Sequence, residues 1–318
     1  MMSLEEISQK IQASAKRLLA EGRAEVVIGY RRGTTPLTVA PHFARTAEDC
    51  DQLVWSSFAK INLATYLPKY PGKVALVAKG CDARSAVGQV VENQVLRENL
   101  YIIGVACNGM VDVERILAGE PRPAFEATED QATIKLSGEG WITSLAREEV
   151  LRRNCRVCVS RTPSATADEV IGDQTEPLSA DDFADLKELA GRSPADKLAY
   201  FKGLVKECLR CYACRNACPL CYCPVCFVDE TRPQWLGKSQ DEMDTFTFHV
   251  LRAFHCAGRC TSCGACETAC PMDIKLREFN RVLESEVQKD WQYTPGLTWD
   301  QKPPLTTYRP DDEAEFIK

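Results

Sequence analysis

The sequence predicts an α/β domain with a mainly parallel sheet over residues 1–165, followed by a smaller α+β domain folded around metal-bound cysteines. Three observations carry this. Strand-length apolar runs (VVIGY, KVALVA, YIIGVA) alternate with helical stretches in the first half of the chain. That alternation stops near residue 162, in a segment rich in Pro, Ser, Ala, Asp and Glu. Beyond it, twelve of the seventeen cysteines fall between Glu207 and Met272. A chain of 318 residues is long for one core and natural for two.

The first twenty residues, MMSLEEISQKIQASAKRLLA, form an amphipathic pattern with Leu4, Ile7, Ile11, Leu18 and Leu19 on one side, which is no signal peptide. Arg31 and Arg32 are not followed by an apolar run, so an export reading fails. Residues 26–30 read as a strand, 53–67 as a helix, 73–78 as a second strand, 81–99 as a long helix and 101–106 as a third strand. Nothing approaches 18 consecutive apolar residues, so no membrane insertion is expected. The net charge of −6 gives no support to nucleic-acid binding. Seventeen cysteines without an export signature predict thiolates held by metal in a reducing cytoplasm.

Cys81 follows the KVALVA strand and Cys107 follows YIIGVA. Both therefore fall at the carboxyl ends of neighbouring strands, the edge where such sheets bind ligands. Cys155 and Cys158 lie in RRNCRVCVSR, where Arg152, Arg153, Arg156 and Arg161 suit the negative charge of a thiolate-ligated cluster. Cys81, Cys107, Cys155 and Cys158 make a four-ligand set for a 4Fe–4S cluster, with zinc or buried thiols as the alternatives. Cys50, in AEDCDQL, reads as a spare buried thiol.

Residues 166–197 are the connection between domains, with a short helix expected at 180–190. A helix over 194–206 leads into the second domain, residues 198–290. There C-x2-C-x2-C-x3-C-P occurs twice, as Cys208, Cys211, Cys214, Cys218 and as Cys260, Cys263, Cys266, Cys270. This is the ligand run of bacterial two-cluster ferredoxins, in which the fourth cysteine serves the other cluster. The expectation is an α+β ferredoxin-like two-cluster domain. Cys208, Cys211, Cys214 and Cys270 would bind one 4Fe–4S cluster, and Cys260, Cys263, Cys266 and Cys218 the second. Structural zinc also uses C-x2-C pairs, but it does not call for the C-x3-C-P ending. The insertion between the half-motifs adds Cys221, Cys223, Cys226 and Cys256, a candidate further cluster or zinc site. His249 and His255 could replace one ligand. An amphipathic helix is expected over 274–287. Residues 291–318, rich in Pro, Gly and aromatics, read as an extended tail, either disordered or lying as an arm on a partner, with the aromatics favouring the arm.

The stretch from Lys79 to Asp173 resembles the β-subunit family of deazaflavin-reducing hydrogenases and formate dehydrogenases. The likeness rests on the turn Ala78–Cys81, on Cys107 after a strand, and on Cys155-x2-Cys158 followed by Ala167-Asp168…Gly172-Asp173. The resemblance implies a 4Fe–4S cluster on those four cysteines beside a flavin. If FAD is bound, Lys79 and Arg84 are the candidate phosphate contacts. The family's glycine-rich N-terminal flavin segment has no clear counterpart here; Arg31–Pro36 is a poor substitute.

With no catalytic motif evident, the first expectation is an iron–sulfur electron-transfer subunit. By resemblance, its partner would be a formate dehydrogenase, a hydrogenase or a heterodisulfide-reductase-like subunit. The alternatives are a flavin-containing oxidoreductase subunit acting on a deazaflavin or nicotinamide, and a zinc scaffold.

Overall fold

A computed structural model describes residues 2–120 and 122–306. The chain begins with the helix Leu4–Ala20, capped by Ser3 and Glu6 in a reciprocal box, and it buries Ile7, Ile11, Ala15 and Leu18. Strand β1 (Val26–Arg32) then turns back into β2 (Val39–Ala44), and β3 (Val74–Ala78), β4 (Leu100–Val105) and β8 (Glu169–Ile171) complete one sheet. Its order is β2-β1-β3-β4-β8. All pairs are parallel except β1 with the edge strand β2. The residues of β3, and all but one of β4, are buried, as a parallel sheet covered on both faces requires. A second, antiparallel sheet of β5 (Glu126–Glu129), β6 (Thr133–Gly138) and β7 (Trp141–Ala146) covers a smaller core with Leu37, Phe58, Ile134 and Leu136.

Several expectations need correction. Residues 53–62 form no helix; a 3-10 segment, Leu63–Lys69, is all that follows. Ser56 Oγ accepts the Phe58 amide and Asn62 Oδ1 the Ala64 amide, so short polar side chains capture donors that a helix would use. The helix expected over 81–99 is Gly80–Val91. Asn93 takes a left-handed conformation there, and the amides of Asn93 and Gln94 return to the carbonyls of Val90 and Gln89, which ends the helix. The segment expected as connection supplies β8, so the sheet extends past residue 165. Within 180–190 the helical part is a 3-10 turn, Ala184–Leu186, and the short helix Lys187–Ala190.

The second half is helical rather than α+β. It holds Pro194–Leu204, Glu242–His255 and Arg277–Trp291, and no strand lies among its described residues. The half-motifs spend their residues on ligand loops, which leaves no alternating run to build a ladder. Phe248, Leu276, Phe279 and Val205 form its small core. Arg277 and Arg281, each 1% exposed, reach Asp185 at 2.6 and 3.4 Å and fasten the connection beneath the last helix.

The tail also differs from expectation where it is described. It lies on its own chain: Arg84 Nε donates to the Pro295 carbonyl at 2.7 Å, and Arg97 sits 4.5 Å over the Trp299 ring. Residues 307–318 lie outside the described residues. No described helix is long and apolar enough to cross a membrane.

Candidate metal centres

The two half-motifs have the same backbone. In each, the second residue between the first two cysteines is left-handed, Arg210 in one and Ser262 in the other, and so is the residue after the second cysteine, Tyr212 or Gly264. Each loop turns an amide onto its first sulfur: Arg210 N donates to Cys208 Sγ at 3.3 Å, and Ser262 N to Cys260 Sγ at 3.4 Å. A one-turn helix follows in each, Ala213–Asn216 and Ala265–Thr268. Such loops aim three sulfurs inward and supply N–H groups that stabilise thiolate charge.

A small cavity is lined by Cys208, Cys211, Cys214 and Cys270, with Phe248 and His249 as one wall. The fourth cysteine of the second motif thus joins the first three of the first. Cys218 is in turn an electrostatic neighbour of Cys260, Cys263 and Cys266.

Four predicted ligands of the insertion are not brought together. Cys221 and Cys256 instead approach Cys218, all three sulfurs lying within 4.8 Å of one another. Sulfurs around one zinc stand about 3.8 Å apart, as follows from a 2.3 Å bond and tetrahedral geometry. The group therefore suits a single ion better than a cubane. Cys226 lies beside Arg215, and Cys223 is exposed. His255 packs edge-on against Phe227. His249 belongs with the first motif: its Nε2 lies 3.3 Å from Cys208 Sγ. Burial and the Arg252 and Arg210 guanidiniums push the His249 pKa down to about 3, so the ring is neutral.

Arg252 had no motif to announce it. It is 5% exposed, donates from Nη2 to the Cys214 carbonyl at 3.2 Å, and leaves Nε without a partner. Burial works against its charge, but the Cys256, Cys218, Cys266 and Cys221 sulfurs outweigh burial and hold its pKa well above the ordinary value. An isolated buried guanidinium costs several kcal/mol. Its surroundings fit a site that carries negative charge when filled, as thiolate-bound iron–sulfur clusters do.

A second cavity is lined by Cys81, Cys107, Cys155 and Cys158 together. Cys81 opens the helix Gly80–Val91 after β3, and Cys107 follows the parallel neighbour β4. A Cβ on Gly80 would overlap the Ser160 carbonyl, so only glycine lets the Cys158 loop close over this helix start. The amides of Gly109 and Met110 donate to Cys107 Sγ and Cys155 Sγ at 3.4 and 3.3 Å. Arg84, Arg152 and Arg161, all buried, line the same cavity. They bond to the carbonyls of Pro295, Gly264 and Cys155 rather than to carboxylates. Burial pushes the Cys107 thiol up to about 12 and raises Cys81 and Cys158 also. These are poor nucleophiles without a metal. Cys50 is fully buried in the main core and is not among the residues lining this cavity.

Cys263 of the second half-motif lines this cavity too. The contact is braced by Asn154 Nδ2 to the Cys263 carbonyl at 3.0 Å, Arg152 Nη2 to the Gly264 carbonyl at 2.9 Å, and Ser85 Oγ with Thr261 Oγ1 at 2.8 Å.

Lys79 and Arg84 both line the cysteine cavity. Lys79 Nζ is held by Asp82 at 2.7 Å and by Tyr30 and the Ile61 carbonyl. Asp82 also accepts the Lys79 amide, the helix-capping role. A wider cleft of about 620 Å³ lies at the carboxyl edge of the sheet, lined by Ala106, Asn108, Arg147, Arg161 and residues 172–176. Arg161 is common to both cavities.

Residues 204–274 match the model of the 4Fe-4S dicluster domain family. The chain is similar to the F420-dependent formate dehydrogenase subunit beta of Methanocaldococcus jannaschii, 23% identical over 93% of each chain. It is also similar to the F420-dependent formate dehydrogenase 1 subunit beta of Methanococcus maripaludis, 22% identical over 92% of each. A chain of the F420-reducing [NiFe] hydrogenase complex from Methanosarcina barkeri aligns with 52% of this chain and 65% of its own, at 17% identity and a TM-score of 0.40. The resemblance of this chain to formate dehydrogenase β-subunits therefore extends over nearly its whole length.

Proposed function

We propose that this chain is the iron–sulfur electron-transfer subunit of a redox complex, with three ligand sets in a row. Cys208, Cys211, Cys214 and Cys270 hold the first 4Fe–4S cluster, Cys260, Cys263, Cys266 and Cys218 the second, and Cys81, Cys107, Cys155 and Cys158 the third. Bound there, the clusters supply one-electron redox steps. The chain supplies their order and insulation. Cys211 is exposed, which opens the first set to a partner. The second set lies between the others, since Cys263 is shared with the rim of the third.

That shared rim carries the proposal, because it makes one continuous line from the ferredoxin half to the carboxyl edge of the sheet. We place Cys218 in the second set rather than with Cys221 and Cys256, because it is the counterpart of Cys270, which lines the other half's cavity, and because its charge acts on Cys260, Cys263 and Cys266. By likeness to the relatives, the partner is a formate dehydrogenase, or else a hydrogenase or heterodisulfide-reductase-like subunit.

The cleft beside Cys107 supports a second reading, in which a flavin there exchanges electrons with the third set and hydride with a deazaflavin or nicotinamide. Its size suits a cofactor. Arg161, which lines it, is the phosphate or ring contact better placed for this than Lys79, whose ammonium is already engaged with Asp82.

Iron, acid-labile sulfide and flavin measured on one anaerobic sample test both readings. About twelve irons per chain, four for each set, are expected. Eight would remove the third set, and a stoichiometric flavin would favour the second reading.

A further inference from the structure

The helix Glu242–His255 lies in the sequence between the two half-motifs. It buries Thr245, Phe248, His249, Arg252 and Ala253, spaced as one helical face. Two of these are polar side chains aimed at cysteine sulfur or at a ligand loop. His249 Nε2 stands 3.3 Å from Cys208 Sγ, and the ring stacks on Phe279 at 5.9 Å, which fixes its plane. Arg252, one turn on, bonds to the Cys214 carbonyl, keeps a buried Nε without a partner, and has Cys218 and Cys266 as electrostatic neighbours.

We propose that this helix sets the reduction potentials of the first two clusters, the first through the His249 hydrogen bond to Cys208 and both through the buried Arg252 guanidinium held on the Cys214 carbonyl. The inference rests on the cluster assignment above. A metal-bound thiolate carries no proton, so the contact to Cys208 is made by the Nε2–H of His249, which donates. Reduction adds one electron and one negative charge to a cluster. A hydrogen bond to a ligand sulfur and a nearby cation both favour that added charge, and so raise the potential. His249 addresses the first set alone, because it lines the Cys208 cavity, whereas the Arg252 charge acts on both sets: it is hydrogen-bonded to the Cys214 carbonyl of the first and is an electrostatic neighbour of Cys218 and Cys266 of the second. The helix therefore controls the potential step between the clusters, and with it the direction in which an electron rests.

The test is a potentiometric titration followed by electron paramagnetic resonance, on the full chain with iron counted in the same samples. His249→Phe is expected to disfavour reduction of the first cluster by about tenfold, equal to 59 mV for one electron, and to leave the second unmoved. His249→Gln keeps an N–H donor and is expected to restore most of the loss. Arg252→Met is expected to lower both clusters by a similar factor, with Arg252→Lys close to the parent protein. Unchanged midpoints in fully loaded His249→Phe and Arg252→Met proteins would overturn the proposal. So would loss of about four irons in His249→Gln as well as His249→Phe, since that marks an assembly role. A parent protein with fewer than about eight irons would instead refute the cluster assignment itself.

Discussion

Cys158 shows how much one sulfur atom decides. It lines the four-cysteine cavity, and the Arg84 and Arg161 charges favour its thiolate against the burial that raises its pKa. Cys158→Ser changes a single atom, but a serine hydroxyl does not give up its proton to iron as readily as a thiol. The expected outcome is a fall from about twelve to about eight irons per chain, with the signals of the first two clusters kept. Iron and sulfide analysis with electron paramagnetic resonance checks it, and an unchanged iron count would remove Cys158 from the ligand set. Lys79 makes the opposite point. Its position after β3 suggested a phosphate contact, but its ammonium is spent on Asp82, Tyr30 and the Ile61 carbonyl.

At the scale of elements, the helix Gly80–Val91 is where the two halves meet. Its start carries Cys81, its second turn pairs Ser85 with Thr261, and Gln89 Nε2 donates to the Pro219 carbonyl at 2.6 Å. Gly80 is the tightest point, with the Ser160 carbonyl against the space a side chain would need. Gly80→Ala forces that loop outward, and Cys158 and Arg161 with it. The variant is expected to lose the third set's iron and about 1–3 kcal/mol of stability to overpacking. Metal analysis and denaturant titration measure the two effects. Retention of all the iron would show that the loop relaxes without moving its ligand.

Across the whole molecule the two halves are held by different forces. The sheet domain has a continuous apolar core from Ile7 to Ile171. The ferredoxin half has ten buried hydrophobic residues in its core, two of them the candidate ligands Cys214 and Cys266. So small a core leaves its fold dependent on metal. Anaerobic removal of iron by a chelator is expected to melt the helices of residues 194–291 while the sheet domain still unfolds cooperatively. Circular dichroism and limited proteolysis would follow the loss. Retained protease resistance of the second half after complete iron removal would contradict this dependence.

The sequence alone determined what is local and repetitive. The doubled C-x2-C-x2-C-x3-C-P run marks the two-cluster module because ligand spacing along a tight loop is itself the geometry. The buried strands β3 and β4 were legible because a sheet covered on both faces needs unbroken apolar runs. The amphipathic first helix was legible from its 3.6-residue period. What depends on distant segments was not. The edge strand β2 is half-exposed without alternation and β8 is only three residues long, while β5 to β7 do alternate in burial but are short and carry no unbroken apolar run to mark them. The ferredoxin half was expected to be α+β, yet its described residues are helical, because loops organised around sulfur leave no run for strands.

Tertiary structure alone brought Cys81, Cys107, Cys155 and Cys158 to one cavity and set Cys263 on its rim. It also drew Cys221 and Cys256 to Cys218 instead of to Cys223 and Cys226. It turned the described part of the tail onto its own sheet domain, and it laid His249 and Arg252 against the sulfurs. The reason is the same in each case. A spacing rule fixes residues a few positions apart, whereas buried charge finds its partner only when the fold has removed water and left cysteine sulfur as its nearest neighbour.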